Sequence, residues 1–416
     1  MEKPLLIIIG YVWPEPGSSA AGRHMMEIIR VFQSAKWRII FASPAADSAY
    51  KADLDSLDIP QQTIRLNSDS FDQWIQPLSP DAILFDRFMM EEQFGWRVAR
   101  TCPDAMRILD TEDLHFLRQG REAVVRQKST AESGKAENEM VLREIASIYR
   151  SDLSLIISSK EMQLLKEEYA VPDEILHYFP FLTEPSSSLL PGFVQRKDFL
   201  FVGTARHAPN LDAIRYLKTR LWPSISKRLP GTCLNIVGSY PTREISQMHK
   251  PETGFCVLGH VENLEPLLES SRVFLAPLRF GAGLKGKLIE AMQWGIPSVT
   301  TATGAEGIAA GENWPGALVT DEASFDESFV SAAVAIYQSE SRWYEAQQAG
   351  LGLLRVHFDG QQHGRELSQR ITQLRKDLPR QRANNFTGQM LLHHSMRSTE
   401  FMSRWIDCKN RKSAGN

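Results

Sequence analysis

One stretch of the chain, residues 273–301, constrains the fold more than any other. Its sequence, VFLAPLRFGAGLKGKLIEAMQWGIPSVTT, contains an apolar run, a glycine-rich loop, a helical pattern, a Gly-x-Pro turn and a second apolar run. Continuous apolar runs are typical of strands buried on both faces of a parallel sheet, and parallel neighbours need a crossover connection, usually a helix. The stretch therefore predicts an α/β architecture, with Gly295 just past the end of the helix.

The same alternation of short apolar runs and helical patterns continues along both halves of the chain. The runs that predict strands are Leu5–Ile9, Trp37–Ala42, Ala82–Phe85, Met106–Leu109, Leu153–Ser158, Phe199–Val202, Cys233–Val237, Phe255–Leu258, Val273–Ala276 and Pro297–Thr300. Strands that alternate with helices indicate doubly wound sheets. We predict two Rossmann-like domains that face each other across a cleft, residues 1–182 and 199–364, joined by a Pro- and Ser-rich linker at 183–198.

The C-terminal tail, residues 365–416, breaks this pattern. Residues 365–412 contain eleven Lys or Arg against four Asp or Glu, a balance of +7, while the whole chain carries a net charge of −3. Apolar residues such as Met390, Phe401 and Trp405 are interspersed with the charges, which favours ordered helix over a disordered arm. A basic helical face is more often packed or solvated than a nucleic-acid site, so nucleic acid is an improbable partner.

Composition excludes several classes of protein. Apolar residues make up 43% of the chain and charged residues 23%, as in ordinary globular proteins. Four widely spaced cysteines without a CxxC pair argue against a zinc site or a disulfide framework, and His393 and His394 lack metal-ligand partners at helical spacing. No apolar run reaches the ~20 residues that span a bilayer. We expect a cytoplasmic protein with no metal.

The loop and helix at 281–290 carry the clearest chemistry. A glycine-rich loop at a helix N-terminus presents backbone N–H groups and the positive end of the helix dipole, both of which favour a phosphate. Lys285 and Lys287 add positive charge, and Glu290 in the first turns of the helix offers a carboxylate to sugar hydroxyls. The segment therefore predicts a phosphate-binding site.

These residues resemble a known family. The order Gly281, Ala282, Gly283, Lys285, Gly286, Lys287, Glu290, Ala291, Met292, Gly295, Pro297, followed by GAEG at 304–307, is similar to the donor-binding segment of glycosyltransferases with two Rossmann-like domains (GT-B type). The likeness is greatest to the retaining family 4, the group 1 glycosyl transferases. It extends over about residues 4–360 and is strongest at 199–310.

The resemblance implies a role for individual residues. The carboxylate matching Glu290 binds the ribose of the nucleotide, and the loop carrying Gly283, Lys285 and Lys287 faces the diphosphate and the donor sugar. The backbone around Gly259–Val261, with Gly259 and Val261 named as binding residues, packs on the base. Gly17 and Gly22 belong to an N-terminal loop that closes on the diphosphate. The resemblance also implies that the tail returns to pack on the N-terminal domain.

Three positions depart from the family pattern. Ala282 stands where the family usually has a Glu over the donor sugar. Thr204 replaces a common Arg after Gly203, which makes Arg206 the nearest cation for the phosphates. The usual histidine after a central N-domain strand is also absent. The acidic segment at this place, ILDTEDLHFLR, leaves Asp110, Glu112, Asp113 and His115 as the catalytic candidates.

The resemblance implies transfer of a hexose-type sugar from a UDP- or GDP-sugar to a hydroxyl of a glycan, lipid-linked or protein acceptor, as in glycan or polysaccharide biosynthesis. It implies retention of configuration without a metal or a cofactor. Alternatives stay open: a catalytically silent nucleotide- or glycan-binding protein, which Ala282 favours, or a sugar-nucleotide epimerase on the same fold. Peripheral contact of the basic tail with the inner face of a membrane is a further alternative.

Overall fold

Two parallel sheets form the framework of the computed structural model. It describes residues 3–126, 131–184, 190–309, 311, 313–321 and 323–414, with the backbone alone at 131–138, 395–397 and 411–414. Helices flank both sheets, and the two sheets lie on either side of a cleft. The predicted α/β fold, with two Rossmann-like domains and a C-terminal helical tail, is confirmed.

The N-terminal sheet has seven strands in the order β3-β2-β1-β4-β5-β6-β7. The strands are β1 (Leu5–Ile9), β2 (Arg38–Ser43), β3 (Gln61–Thr63), β4 (Ala82–Asp86), β5 (Met106–Asp110), β6 (Leu153–Ile156) and β7 (Leu176–Tyr178). The helices are α1 (Ala20–Ser34), α2 (Ser70–Ile75), α3 (Phe88–Thr101), α4 (His115–Val125), α5 (Ala131–Arg150) and α6 (Ser159–Glu167). All neighbouring strands pair in parallel. The order reverses between β1 and β4, where ligand crevices form in doubly wound sheets.

The C-terminal sheet has six parallel strands in the order β10-β9-β8-β11-β12-β13. They are β8 (Lys197–Val202), β9 (Leu234–Val237), β10 (Phe255–Gly259), β11 (Ser271–Ala276), β12 (Ser298–Thr301) and β13 (Gly316–Val319). The helices are α7 (Ala208–Tyr216), α8 (Trp222–Arg228), α9 (Arg243–Gln247), α10 (Glu265–Ser270), α11 (Gly286–Gln293), α12 (Ala302–Ala305), α13 (Phe325–Gln338) and α14 (Glu340–His357). The order reverses between β8 and β11, next to the glycine loop that precedes α11.

Two helices complete the chain, α15 (Gly360–Asn384) and α16 (Phe386–Ala414). The inner face of α15 presents four buried residues at helical spacing to the N-terminal core: Leu367, Ile371, Leu374 and Leu378. Arg382 near the end of α15 binds the buried Asp152 through two nitrogens, at 2.7 and 2.8 Å. The tail therefore packs on the N-terminal domain. No described helix is both long and apolar enough to cross a bilayer.

The structure differs from the sequence expectations at three strands. Strands β3, β7 and β13 were not expected, because they are short and lack the long apolar run that marks the central strands. The domain limits stay a proposal, because residues 185–189 of the predicted linker lie outside the described part of the chain.

Candidate functional site

A cavity of about 440 Å³ lies in the cleft between the two domains. Its walls come from loops that follow the carboxyl ends of strands in both sheets, as expected for α/β folds. Nine of the thirteen residues predicted for the site line it: Gly17, Glu112, Asp113, His115, Val261, Gly283, Lys285, Lys287 and Glu290. The structure thus brings the predicted donor loop and three of the four catalytic candidates to one cavity.

The other four predicted residues lie outside this cavity. Gly22 and Arg206 line a neighbouring cavity of about 210 Å³, where the Arg206 guanidinium stacks 3.6 Å from the ring centroid of Tyr240. Gly259 ends β10 with a φ of +70°, a backbone conformation that favours glycine. Asp110 ends β5, fully buried beneath the cavity floor.

The donor loop, residues 281–287, meets the N-terminal domain closely. Gly283 has a φ of +60°, and a Cβ added there would lie 2.9 Å from the Cβ of Asp113 across the cleft. Any other residue at 283 would therefore be strained and would push the loop away from Asp113. The glycine is required both by backbone conformation and by the close approach of the two domains.

The lysines of the donor loop lie side by side in the cavity wall. The Lys285 Nζ donates to the carbonyl of Gly283 at 2.9 Å, and the Lys287 Nζ donates to the side-chain oxygen of Asn210. Burial lowers the pKa of Lys285 to about 8. Burial, with Lys285 beside it, lowers the pKa of Lys287 to about 7. Among the described residues neither ammonium forms a salt bridge, so the pair is arranged to receive an anion.

Glu290 extends from the first turns of α11 into the same cavity. Its carboxylate forms an ion pair with Arg23 of α1, which crosses the cleft. The first turn of α1 is fixed because Ser19 caps it, accepting from the Gly22 N–H at 3.0 Å. Arg23 thus closes the cavity over Glu290 from the N-terminal side, and a ligand hydroxyl that binds Glu290 must share the carboxylate with it.

Two N-terminal side chains hold the peptide groups on either side of Ala282. Arg121 of α4 donates to the carbonyl of Gly281 at 2.7 Å and binds Glu306 through two hydrogen bonds of 2.8 Å. Glu161 of α6 accepts from the N–H of Gly283 at 2.7 Å and from the N–H of Leu114 at 3.2 Å. Burial and the nearby Asp113 raise the pKa of Glu161 to about 8. The N-terminal domain therefore sets the shape of this loop.

His24, Asp110 and Glu112 form a buried cluster next to the cavity, which Glu112 lines. Their ligand atoms lie within 4.8 Å of one another. The His24 Nε2 bonds the carbonyl of Phe179 at 3.2 Å, while its Nδ1 and the Oδ2 of Asp110 have no hydrogen-bond partner among the described residues. Burial and the nearby Asp86 raise the pKa of Asp110 to about 8, and burial with Asp110 does the same for Glu112. The carboxyl groups of Asp110 and Glu112 therefore favour their protonated forms more than free carboxyl groups do.

Asp113 and His115 occupy the cavity wall facing the donor loop. Burial disfavours the Asp113 carboxylate, but the ion pair with Arg118 and the proximity of His115 keep its pKa below the usual value. Asp113 is therefore ionised at neutral pH, unlike Asp110 and Glu112. The His115 Nδ1 lies 3.2 Å from Glu144, whose carboxylate also binds the backbone N–H groups of His115 and Phe116 at the start of α4.

Sequence reasoning missed three residues that bond across the cleft, Arg23, Arg121 and Glu161. It also missed Arg87 and Arg118, which line the cavity from the N-terminal side. A usable signal existed for Glu161 and Arg87, since each follows closely after the carboxyl end of a predicted strand. No signal in the sequence pairs Arg121 with Glu306, because 185 positions separate them.

The comparison with protein families identifies the C-terminal domain. Residues 196–339 match the family model described as "Glycosyl transferases group 1". The match contains β8 to β13, the loop at 281–287 and Glu290. None of the curated proteins compared with the chain matches it.

Solved structures with the same fold cover nearly the whole chain. Sucrose-phosphate synthase from Thermosynechococcus elongatus has a TM-score of 0.66 at 14% identity, covering 89% of this chain and 99% of its own. A TarM variant from S. aureus, in complex with Fondaparinux, alpha-GlcNAc-glycerol and UDP, has a TM-score of 0.66 at 8% identity, covering 88% and 99%. Anabaena HepE in complex with UDP and glucose has a TM-score of 0.64 at 12% identity, covering 89% and 100%. The chain therefore has the fold of these structures, the GT-B fold, and its residues 196–339 are similar to the group 1 glycosyl transferases.

Proposed function

We propose that the enzyme transfers a sugar from a nucleoside diphospho-sugar to an acceptor hydroxyl. The observation that carries the proposal is the pair of amino groups at the N-terminus of α11, those of the buried Lys285 and the partly buried Lys287. A diphosphate placed there supplies the missing negative charge and accepts from the first N–H groups of the helix. Both interactions strengthen as negative charge develops on the leaving diphosphate.

The nucleoside would lie along the wall formed by Glu290 and Val261. Glu290 is the carboxylate next to the phosphate site, so it suits the ribose hydroxyls, and Val261 offers an apolar surface to the base. We favour uridine as the base, with guanosine as the alternative. HepE is described in complex with UDP, with UDP and glucose, and with UDP-glucose, and the TarM variant in complex with UDP.

The acceptor would enter from the N-terminal side of the cavity. Arg87, Asp113, His115 and Arg118 line this wall and offer hydrogen-bonding groups to hydroxyls. The TarM variant is described with alpha-GlcNAc-glycerol and Fondaparinux, and a glycan acceptor suits the polar wall of this chain too. A lipid-linked glycan or a glycosylated protein would present the same hydroxyls.

We further propose that the transfer retains anomeric configuration and needs no metal, as the resemblance of the donor loop implies. The two lysines and the N-terminus of α11 supply positive charge at the diphosphate, the task a divalent cation would otherwise perform. Asp113, ionised and opposite Gly283, is the side chain best placed to stabilise positive charge developing on the donor sugar. Contacts across the cleft exclude water and so suppress hydrolysis.

The proposal is tested by incubating the protein with UDP- and GDP-sugars, with and without glycan acceptors, and with excess chelator. We expect release of nucleoside diphosphate that depends on acceptor and resists the chelator. Binding of nucleotide without transfer or hydrolysis would support the catalytically silent alternative. Conversion of the donor to an epimer without release of nucleotide would support the epimerase alternative.

The lowered pKa values of the two lysines predict a pH dependence of donor binding. In the free protein these groups lose their protons above about pH 7 and 8. A bound diphosphate favours the charged ammonium and so raises both pKa values. Affinity is then greatest below the free-state pKa values and falls as pH rises toward the bound-state values. We expect UDP affinity, measured by calorimetry, to fall at least about tenfold from pH 7 to pH 9, with proton uptake on binding.

Replacing Glu290 with Gln distinguishes the contribution of the ribose to binding from that of the phosphates. We expect UDP to bind about tenfold more weakly, because a charged hydrogen bond contributes roughly 1.5–3 kcal/mol. Inorganic pyrophosphate should bind as well as before, since the lysines remain and Arg23 loses its competing carboxylate. Glu269→Gln, an exposed position on α10, is the control. Equal weakening of UDP and pyrophosphate in Glu290→Gln would contradict the ribose assignment.

A further inference from the structure

The outer face of α16 carries an unusual concentration of exposed apolar side chains. Among the described residues, five of the fifteen large hydrophobic residues that are exposed lie on this helix: Phe386, Met390, Phe401, Met402 and Trp405. Phe401 is 63% exposed and Trp405 60% exposed. With a rise of about 1.5 Å per residue, the stripe from Phe386 to Trp405 is about 28 Å long.

Helical spacing places these residues on the side of α16 that faces away from the N-terminal domain. Phe386 and Met390 are four positions apart, as are Phe401 and Trp405, so each pair shares a face. Gly388 and Ser403 point the other way, are buried, and contact the N-terminal domain through Tyr149 and Arg97. The packed side of α16 is therefore already in contact with α3 and α5. No other element of the described chain covers the apolar stripe.

The charged residues of α16 are also distributed unevenly between its packed side and its exposed side. Residues 386–414 contain five Lys or Arg against two Asp or Glu. Both acidic residues, Glu400 and Asp407, are partly buried on the packed side, and Glu400 pairs with Arg100. Arg404 and Lys409 are exposed near Trp405: Arg404 also pairs with Glu400 at 2.5 Å, and the Lys409 Nζ lies 5.2 Å from the Trp405 ring. Cationic and aromatic groups therefore face outward together.

We infer that this face docks the enzyme on an anionic membrane surface. Aromatic and long apolar side chains insert at the boundary between headgroups and acyl chains, while Lys and Arg attract anionic headgroups. Stable attachment needs both contributions, and α16 presents both on one rigid face. The inference goes beyond the proposed function and does not depend on the identity of the donor.

The test is co-sedimentation of the full chain with phosphatidylcholine vesicles, alone or with about one third phosphatidylglycerol. We expect binding to the anionic vesicles only, weakened by high salt because exposed charges are screened. Phe401→Ser with Trp405→Ser should lower the partition coefficient at least about tenfold. The matched control is Val194→Ser with Val356→Ser, two apolar positions outside α16 that are at least as exposed, which should bind like the native protein.

Two outcomes would overturn the inference. One is equal vesicle binding by Phe401→Ser/Trp405→Ser and by the native protein, with both folded as judged by circular dichroism. The other is absence of vesicle binding combined with dimerisation of the native chain that the double variant abolishes. The second result would assign the face to another copy of this chain.

Discussion

Replacing Lys285 and Lys287 together with Met is expected to weaken UDP binding at least a hundredfold. Each lysine is expected to make a charged hydrogen bond to the diphosphate, and such bonds contribute roughly 1.5–3 kcal/mol each. The sum, roughly 3–6 kcal/mol, corresponds to at least about a hundredfold in affinity. Met retains most of the volume, so the wall of the cavity keeps its packing. The measurement is isothermal titration of UDP into each protein at pH 7.

The same substitution should make the free protein more stable. Burial lowers the pKa of both lysines, which shows that the folded protein disfavours their charge. Removing the charge removes this cost, so we expect a higher Tm without ligand and a smaller increase of Tm with UDP. Lys227→Met with Lys250→Met, at two exposed positions, is the control and should change neither. Native-like UDP affinity in the folded Lys285/Lys287 variant would rule out the phosphate assignment.

Replacing Glu161 with Ala is expected to lower kcat at least about thirtyfold while changing UDP affinity less than threefold. The substitution leaves the buried N–H groups of Gly283 and Leu114 without an acceptor, at a cost of about 1–3 kcal/mol each. The donor loop then loses its contact with the N-terminal domain at Gly283 and keeps the one between Gly281 and Arg121, so the closed arrangement needed for transfer is less populated. UDP itself still binds the lysines and α11.

Glu161→Gln is the informative control for this experiment. Its side-chain oxygen still accepts both N–H groups, and a pKa of about 8 means that Glu161 is itself mostly neutral below pH 8. We therefore expect Glu161→Gln to keep kcat within about threefold at pH 7. If Ala and Gln lower kcat equally, the two hydrogen bonds do not position the loop. If Ala weakens UDP binding as much as it lowers kcat, Glu161 acts on the nucleotide site as a whole.

The fold could be predicted from the sequence because its central strands have a recognisable sequence pattern. Buried parallel strands such as β1 and β11 are continuous apolar runs, and the crossover helices between them have a different period. Strand β3 has the sequence QQT and lies at the edge of its sheet, so its pairing with β2 is set by neighbours and not by its own residues. The edge strands β7 and β13 were missed for the same reason.

Some residues of the candidate site could be predicted from their neighbours in the sequence, and others depend on contacts between distant parts of the chain. Lys285, Lys287 and Glu290 were predictable because loop, helix start and carboxylate are all contained in ten residues. Contacts across the cleft, such as Arg121 with Glu306 and Glu161 with Gly283, depend on how the domains meet. A single sequence contains no record of that geometry. Arg206 shows that nearness in the sequence can also mislead. It was predicted as the nearest cation for the phosphates, but it stacks on Tyr240, outside the main cavity.

Ala282 deserves a specific interpretation in the light of these contacts. The residue lacks the carboxylate that the family usually places over the donor sugar. In the sequence analysis, this absence favoured the alternative of a catalytically silent protein. Both of its flanking peptide groups are nevertheless held across the cleft, by Arg121 and Glu161. Asp113 faces the adjacent Gly283. We propose that the N-terminal domain supplies the negative charge at the donor sugar that position 282 does not.

The most direct test of the central claim compares the thermal stabilisation by UDP with that by uridine. A ligand that binds only the folded state raises Tm, and the increase grows with the logarithm of the ratio of ligand concentration to Kd. We predict a much larger increase with UDP than with uridine for the native protein, and an equal, small increase for both ligands in Lys285→Met/Lys287→Met. Equal increases in the native protein, or a UDP advantage that persists in the double variant, would contradict a diphosphate site at these lysines.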